Sequence, residues 1–534
     1  MTSVYLKGLF DSNQIKKVLI IAPSTLKIYW KEEIKMWSKG LNAMILDGQK
    51  KAEREKAISR MKRKGGILIT SFGLVTTERS LLTDIRYDVL IVDEGHKAKN
   101  INTELRKNMM RVTVKNHRIL LTGTPLQNNL QELWSIFDCV QPGIFESFQK
   151  FTKEFAVPIE KGLTKDASAV QKSKSKILSE KLRKIYQPHF LRRTKAQIFK
   201  VKSVEKSGEP LKDNELPLKT DLVIWLDLSE SQKKMYEHII SRETVKNVIQ
   251  SGAFMNAFCL LTAIKKLCQH PLLLRKAAMD KIDNFDEFFG EEEKHLPENQ
   301  EDEIIAEKPN KKEKSRKIED EKQNKILQLL ELKDVLDDAV KHYNENNFEG
   351  ILADSSKLVF LFMLLENLQK EGHKVLIYSM SKVMLNIIEK IAKAAGKFEY
   401  LRIDGDTDID ERDKIQKNFN KNPKIFMCLL TTKVGGCGLN LIGADRVIIF
   451  DPDWNPANDN QAVDRLYRIG QGKDVVVYRL ITTHGIEERI YRRQIYKQGI
   501  NKATVENNEN KNIEKYFSHQ DLFELFNFDT DVKK

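Results

Sequence analysis

The amino-acid sequence predicts an α/β protein built on two separate parallel sheets. Three observations carry that prediction. Val89, Leu90, Ile91 and Val92 follow one another without a polar break, the pattern of a parallel strand covered on both faces, and the run ends in Asp93 and Glu94. Arg118 to Thr122 is a second apolar run, ending in Thr122-Gly123-Thr124-Pro125. Strands then alternate with helices again after residue 351, which calls for a second parallel sheet. At 534 residues the chain is too long for one core, so two or more domains are expected.

Composition narrows the partners. Lys and Arg outnumber Asp and Glu by 90 to 76, a net charge of +14 with pI near 9.2, and this excess suits a polyanionic partner. Cys139, Cys259, Cys268, Cys428 and Cys437 form no C-x-x-C pair and have no histidine spacing suited to zinc. That sets aside metal fingers and disulfide scaffolds and points to a reducing compartment. No apolar run approaches the roughly 20 residues that cross a bilayer, and the opening lacks the apolar core of a signal peptide, so the expectation is a soluble intracellular protein.

In chain order, Lys17 to Trp37 (KVLIIAPSTLKIYWKEEIKMW) reads as a strand over Val18 to Ala22, a Pro-Ser-Thr turn, and an amphipathic helix with Leu26, Trp30, Ile34 and Trp37 on one face. Ser24 and Thr25 at the helix start are either a plain N-cap or donors to a phosphate. Gly66 to Val75 (GILITSFGLV) is the next strand and turn, with Thr70 and Ser71 at its tip. Asp93 and Glu94 then sit where a parallel strand leaves its sheet, the place where α/β folds bind ligands. An Asp there can hold the Mg²⁺ of a nucleotide and a Glu can orient the attacking water; the plainer reading is a solvated strand end. Thr122-Gly123-Thr124 reads on its own as a tight turn, and Leu130 to Phe137 as a core helix.

Beyond about Cys139 come Lys-rich helical segments, including KSKSK at 172–176, then Phe190-Leu191-Arg192-Arg193-Thr194-Lys195, which is a solvated face or a phosphate clamp. Leu216 to Ser229 is strand-like, and helices follow through Met235 to Ile240 and Leu260 to Leu274. Lys281 to Lys325 mixes acidic and basic runs with few apolar residues and reads as a disordered insert, its KKEKSRK as a solvated charge run or a nuclear localisation signal. After it come a helix over Ser356 to Leu368, a buried strand over Lys374 to Ser379, a strand and turn over Tyr400 to Thr407, and Ile425 to Thr432 leading into KVGGCGLNL. The glycines there permit close backbone approach to a ligand, and Thr431, Thr432 and Lys433 are candidates for phosphate contact. Arg465 and Arg468, three residues apart, are expected on one face of a helix. The tail closes with YFSHQDLFELF, whose Phe517, Leu522, Leu525 and Phe526 form an apolar face suited to docking on the body of the protein.

Taken together and in this order, DEGH (93–96), LTGTPLQNNLQELW (121–134) and QAVDRLYRIGQ (461–471) resemble motifs II, III and VI of the Swi/Snf-type DNA translocases of helicase superfamily two. The segments at Lys17, Gly66, Lys374 and Lys433 resemble motifs Ia, Ib, IV and V, and FLRRTK and LCQHPLLL also match, so the resemblance spans nearly the whole chain. LPLKTDLVIWLDLSESQKKMY, RRQIYKQG and the ending are most similar to the branch that holds the Polo-kinase-interacting checkpoint helicase and Cockayne-syndrome-B-like proteins.

The resemblance implies two RecA-like lobes with helical protrusions: a first lobe over 1–145, protrusions and an inter-lobe region over 146–280, a charged insert over 281–350, a second lobe over 351–500 and a tail with an amphipathic helix over 501–534. It implies a nuclear, ATP-dependent translocase on double-stranded DNA that acts in chromatin, DNA repair or chromosome segregation, with ATP and Mg²⁺ as cofactors and chromatin or repair proteins as further partners. By residue it implies Asp93 for Mg²⁺, Glu94 for water activation, and Arg465 and Arg468 as arginine fingers, with Gly438 and Gln461 joining Asp93 and the arginines on the nucleotide. Ser24, Thr25, Thr70, Ser71, Ser379, Thr431, Thr432 and Lys433 would contact the DNA backbone, and Thr122, Gly123 and Thr124 would couple the two sites.

One departure is plain. The family's phosphate-binding loop, GxxxxGK[ST], lies about 20 residues before motif Ia. Here 17 residues precede Val18 and none of them form it, and Gly435-Gly436-Cys437-Gly438 has no Lys-Ser or Lys-Thr after it. Met1 to Phe10 resembles the helix that follows the loop. The expectation is a truncated sequence whose first lobe lacks the P-loop strand, with the loop encoded in frame upstream and no ATP turnover by residues 1–534 alone. The rival is a catalytically inactive DNA-binding or adaptor module that has lost the loop.

Overall fold

The computed structural model describes residues 1–46, 51–123, 130–162, 167–201, 215–241, 254–277, 348–435 and 438–505. Thr124, the insert up to residue 347 and the tail from residue 506 lie outside the described residues. The fold is α/β, in two compact units over Met1–Arg192 and Arg193–Tyr496, each built on one large parallel sheet as two RecA-like lobes require. No helix among the described residues is long and apolar enough to cross a membrane.

The first sheet comprises β1 (Lys17–Ala22), β2 (Ala43–Ile45), β3 (Gly66–Ser71), β4 (Tyr87–Val92) and β5 (Val114–Leu120) in the order β2-β3-β1-β4-β5, every pair parallel. The unbroken apolar runs of β1, β3 and β4 follow from burial on both faces. Leu19, Ile21, Leu68, Leu90 and Val92 pack with Ile58, Met61 and Phe72 on one face, whereas Val18, Ile20, Ile67, Ile69, Val89 and Ile91 pack with Leu6 and Ile34 on the other. Among the described residues β5 pairs only with β4, and its Ile119 and Leu120 remain half-buried. A helical layer follows, in which Trp134, Phe137, Phe145, Phe151, Phe155 and Tyr186 form an aromatic core. Its Lys-rich helix Ala169–Tyr186 opens with a capping box, Gln171 N donating to Ser168 Oγ at 3.3 Å and Ser168 N to Gln171 Oε1 at 2.9 Å.

The second unit holds the short parallel pair β6 (Lys200–Val201) and β7 (Glu215–Leu216), and a sheet of β8 (Lys219–Leu226), β9 (Val375–Ser379), β10 (Tyr400–Ile403), β11 (Met427–Thr431), β12 (Arg446–Ile449) and β13 (Val475–Thr482). Its order is β10-β11-β9-β12-β13-β8, all parallel. The sheet is therefore not confined to residues after 351: β8 enters from far upstream and pairs with β13 from Lys219 opposite Val475 to Leu226 opposite Thr482. Ser355 and Ser381 cap the helices Ser356–Lys370 and Lys382–Ala395 by accepting from Leu358 N and Met384 N. Behind the carboxyl ends of β12 and β13 the ammonium of fully buried Lys357 meets Glu487 at 2.6 Å and donates to the carbonyls of Phe450 and Leu480 at 2.8 and 3.0 Å.

Candidate functional site

In the first unit the candidate residues collect along the carboxyl rim of the sheet, because every strand runs the same way. The tip of β4 is held on both sides. Asp93 N donates to Ile21 O at 2.8 Å beyond β1, and Leu121 N to Val92 O at 2.8 Å beyond β5. Gly95 N then donates to Leu121 O at 2.9 Å. That tight return needs glycine, since a Cβ at Gly95 would come within 2.1 Å of Leu120 Cδ2.

The Asp93 carboxylate is oriented by two donors, Trp30 Nε1 to Oδ2 and Glu94 N to Oδ1, each at 2.9 Å. Glu94 adopts the left-handed conformation, φ 51° and ψ 48°, which costs a non-glycine residue about 1 to 2 kcal/mol and persists only where its surroundings hold it. The turn aims Glu94 back at its own loop: His96 Nδ1 lies 3.3 Å from Glu94 Oε2 and 3.3 Å from Thr122 Oγ1. The DEGH loop and the turn at Thr122-Gly123 thus meet through one imidazole. Sequence reasoning assigned no role to His96 and placed Trp30 only on an apolar helix face. A half-buried indole on an apolar helix face, whose N–H needs a partner, was the available signal for Trp30.

The expected DNA-backbone contacts separate into two groups. Ser24 and Thr25, in the 3₁₀ turn before helix Lys27–Trp37, are half-buried, as is Thr431, and Lys433 is exposed. Thr70, Ser71, Ser379 and Thr432 are buried, so their hydroxyls do not face a ligand in this state. The reason is local. Ser71 caps helix Phe72–Thr77 by accepting from Leu74 N at 3.4 Å, and Ser379 Oγ accepts from Ser381 N at 3.1 Å, while the hydroxyl oxygens of Thr70 and Thr432 are buried.

In the second unit the arginines do not lie on a helix as expected. Helix Pro456–Val463 carries half-buried Gln461 and stops at Asp464, leaving Arg465 and Arg468 in the turn beyond it, both half-buried. Tertiary contacts override helix propensity here. Leu466 is fully buried, Leu441 N donates to Arg465 O at 3.2 Å, and Arg468 Nη1 donates to Leu439 O at 3.3 Å. Gln471 Nε2 closes the turn onto Ala444 O at 2.9 Å. The segment after Gly438, itself at φ 76°, and the arginine turn thereby form one packed piece.

Helix Pro456–Val463 also stands on a buried acidic pair that sequence reasoning did not single out. Asp459 Oδ2 accepts from Asp453 N at 3.2 Å and from Gln494 Nε2 at 2.8 Å, and Arg479 lies 4.0 Å away. Burial, aided by the neighbouring Asp453 carboxylate, pushes Asp459 up to about 7.

The chain matches the SNF2-related domain over residues 2–273 and the helicase conserved C-terminal domain over residues 356–470. It is 34% identical over 544 residues to "DNA excision repair protein ERCC-6-like" of Danio rerio and 36% identical over 541 residues to the Homo sapiens protein of the same name. It is also 36% identical over 537 residues to "Protein CHROMATIN REMODELING 24" of Arabidopsis thaliana. Each alignment covers 98% of this chain but only 34%, 40% and 44% of the respective relative, so the chain spans less than half the length of these relatives. A solved structure described as "Sulfolobus solfataricus SWI2/SNF2 ATPase core in complex with dsDNA" aligns at 24% identity and TM-score 0.38, covering 97% of this chain and 88% of that one.

Proposed function

Because the chain belongs to the SNF2-related family of helicase-like proteins, we propose that it is the motor core of an ATP-dependent translocase on double-stranded DNA, working in the nucleus in chromatin or DNA repair. The observation that carries this reading is the oriented Asp93 with Glu94 at the tip of β4 in the first unit, alongside an arginine turn packed on the segment after Gly438 in the second.

Asp93 suits a Mg²⁺ ion held chiefly by nucleotide phosphates. Its carboxylate is half-buried and pre-oriented, and no cluster of three or more His, Cys, Asp or Glu that could hold a metal exists among the described residues. Mg²⁺ bound through one or two carboxylates, phosphates and water requires no more. Bound there, the ion supplies positive charge against the phosphates. Glu94 orients the attacking water and accepts its proton on a carboxylate oxygen. Arg465 and Arg468 stabilise charge on the transferred phosphoryl group, a contribution worth about 10³ to 10⁵ in rate. Gly438 and Gln461 complete the nucleotide contacts. His96 and Thr122, with Gly123 and Thr124, carry the coupling to DNA, which rests on Ser24, Thr25, Thr431 and Lys433.

One observation favours a second reading, a DNA-binding module without turnover. Residues 1–534 contain no GxxxxGK[ST], so the amide nest and lysine that hold the β- and γ-phosphates are not among them. The deciding experiment measures ATP hydrolysis with and without duplex DNA on residues 1–534 and on a version extended at its start to carry a GxxxxGK[ST] loop. DNA-stimulated turnover in the P-loop-extended version, abolished by Glu94→Gln, supports the motor. DNA binding without turnover in both forms establishes the module. Turnover by residues 1–534 alone would overturn the nucleotide site assigned here.

A further inference from the structure

We propose that Lys195 is a positioning residue that clamps the arginine turn. The proposal deepens the reading of Arg465 and Arg468 given above. Lys195 opens the short helix Lys195–Ile198, with Thr194 N donating to Gln197 Oε1 at 2.9 Å just before it. Its ammonium reaches across 269 positions of sequence to donate to Asp464 Oδ1 at 2.8 Å. It also donates to the backbone carbonyl of Tyr467 and lies 4.6 Å from the centre of the Tyr467 ring. Asp464 immediately precedes Arg465, and Tyr467 immediately precedes Arg468. One cation therefore grips the turn at two points, each the neighbour of an arginine.

An exposed lysine–carboxylate pair alone contributes little, and Lys195 and Asp464 are 39% and 57% exposed. The weight comes from the combination of ion pair, carbonyl and ring on one ammonium. Both sides of the clamp are anchored. Tyr467 is buried and its hydroxyl donates to Pro217 O at 3.1 Å, while Phe199, four residues beyond Lys195, packs on the apolar cluster that contains Leu439, Leu466 and Tyr467. Lys195 is also the third residue of the second unit, so the chain is tied to the arginine turn as soon as it enters that unit. The lysine of the FLRRTK segment is thus engaged with the arginine turn.

Lys195→Met keeps the aliphatic stem and removes the ammonium, and hydrogen exchange on the chain of residues 1–534 reads the result. The amides of Arg465 to Gln471 are expected to exchange about tenfold faster, while those of β12 and β13 keep their rates. Lys195→Arg, which can still donate to Asp464, recovers part of the protection. Lys219→Met, which removes a second cation 6.0 Å from the same ring, leaves the turn unchanged. In the P-loop-extended version Lys195→Met lowers DNA-stimulated kcat, and adding it to Arg468→Ala costs less than it does alone, because it acts through that residue. Unchanged exchange in the turn, a rise shared equally by β12 and β13, or fully additive losses with Arg468→Ala would each overturn the proposal. Absence of any ATP turnover in the P-loop-extended version counts against the reading of the arginines, and the exchange measurement then still decides whether Lys195 holds the turn.

Discussion

The indole Nε1 of Trp30 donates to Asp93 Oδ2 at 2.9 Å, so the helix that begins just after Ser24 and Thr25 is hydrogen-bonded directly to the carboxylate assigned to Mg²⁺. A bond to a charged acceptor contributes about 1.5 to 3 kcal/mol, and the donor sits where a one-turn shift of the helix would break it. Trp30→Phe keeps the apolar face and deletes the donor. The expected outcome in the P-loop-extended version is a roughly tenfold rise in the Mg²⁺ concentration needed for half-maximal ATP turnover, with duplex affinity unchanged. An unaltered Mg²⁺ requirement would leave the indole with a packing role only.

Gly95→Ala tests how tightly the DEGH loop is built. The added methyl would meet Leu120 Cδ2 and Cγ at 2.1 Å, and Leu120 belongs to β5, whose outer edge has no pairing strand among the described residues. Overpacking of this kind costs about 1 to 3 kcal/mol or more. The first unit should melt several degrees lower, and the His96–Thr122 contact, which depends on the same return of the chain, should loosen. A melting temperature equal to that of the unaltered protein would mean that β5 yields freely at its edge.

Much of this fold is legible in the sequence, for identifiable reasons. Val18 to Ala22 and Val89 to Val92 read as buried strands because both faces of the sheet are covered, so no polar residue interrupts them. The pairing of Lys219–Leu226 with Val475–Thr482 left no local trace, since the partners are more than 250 positions apart and β8 is half-buried or exposed throughout, without a regular period. The arginine turn misled periodicity. Spacing alone continues the helix past Val463, but burial of Leu466 and the bond from Leu441 N to Arg465 O pull the chain away from it. The hydroxyls of Thr70, Ser71, Ser379 and Thr432 were named from motif position, which does not report which side of a strand tip faces inward.

Duplex DNA binding should be strongly salt-dependent and indifferent to sequence. The assigned contacts are hydroxyls, amides and one lysine, all suited to phosphates rather than base edges. The net charge of +14 adds a long-range attraction. On a double-logarithmic plot, the affinity of residues 1–534 should fall linearly with salt at a slope of about −0.9 for each phosphate neutralised. A flat isotherm between low and physiological salt, or a strong preference for one sequence among several duplexes, would contradict the assignment.

The stability of the second unit is expected to depend on pH through buried groups that act in opposite directions. His270 is fully buried, and its neutral form is fixed by geometry, Nδ1 accepting from Leu272 N at 3.0 Å and Nε2 facing Ile351 O at 2.8 Å. Burial lowers its pKa to about 4, against the upward pull of the Ile351 carbonyl and Asp354. Asp459 moves the other way, to about 7, through burial and Asp453, with Gln494 and Arg479 opposing. The signs follow from proton counting. Between about 4 and 6.5 the folded state binds fewer protons at His270 than the unfolded chain does, so this residue makes stability rise with pH. Between 3.8 and about 7 the folded state binds more protons at Asp459, so that residue makes stability fall with pH; buried Asp451, also raised by desolvation, adds in the same direction. The two residues oppose each other over their shared window, each at no more than about 1.4 kcal/mol per pH unit. Asp459→Asn should remove one falling contribution, so that the stability of the second unit climbs more steeply from pH 4 to 6.5. His270→Gln, which keeps a donor for Ile351 O, should leave a curve that falls up to about pH 7. Denaturant unfolding of residues 1–534 at half-unit steps across this range, followed through the second unit, measures both slopes. If Asp459→Asn merely shifts the curve without tilting it, Asp459 is already ionised in the folded protein and the buried acidic pair carries no proton near neutrality.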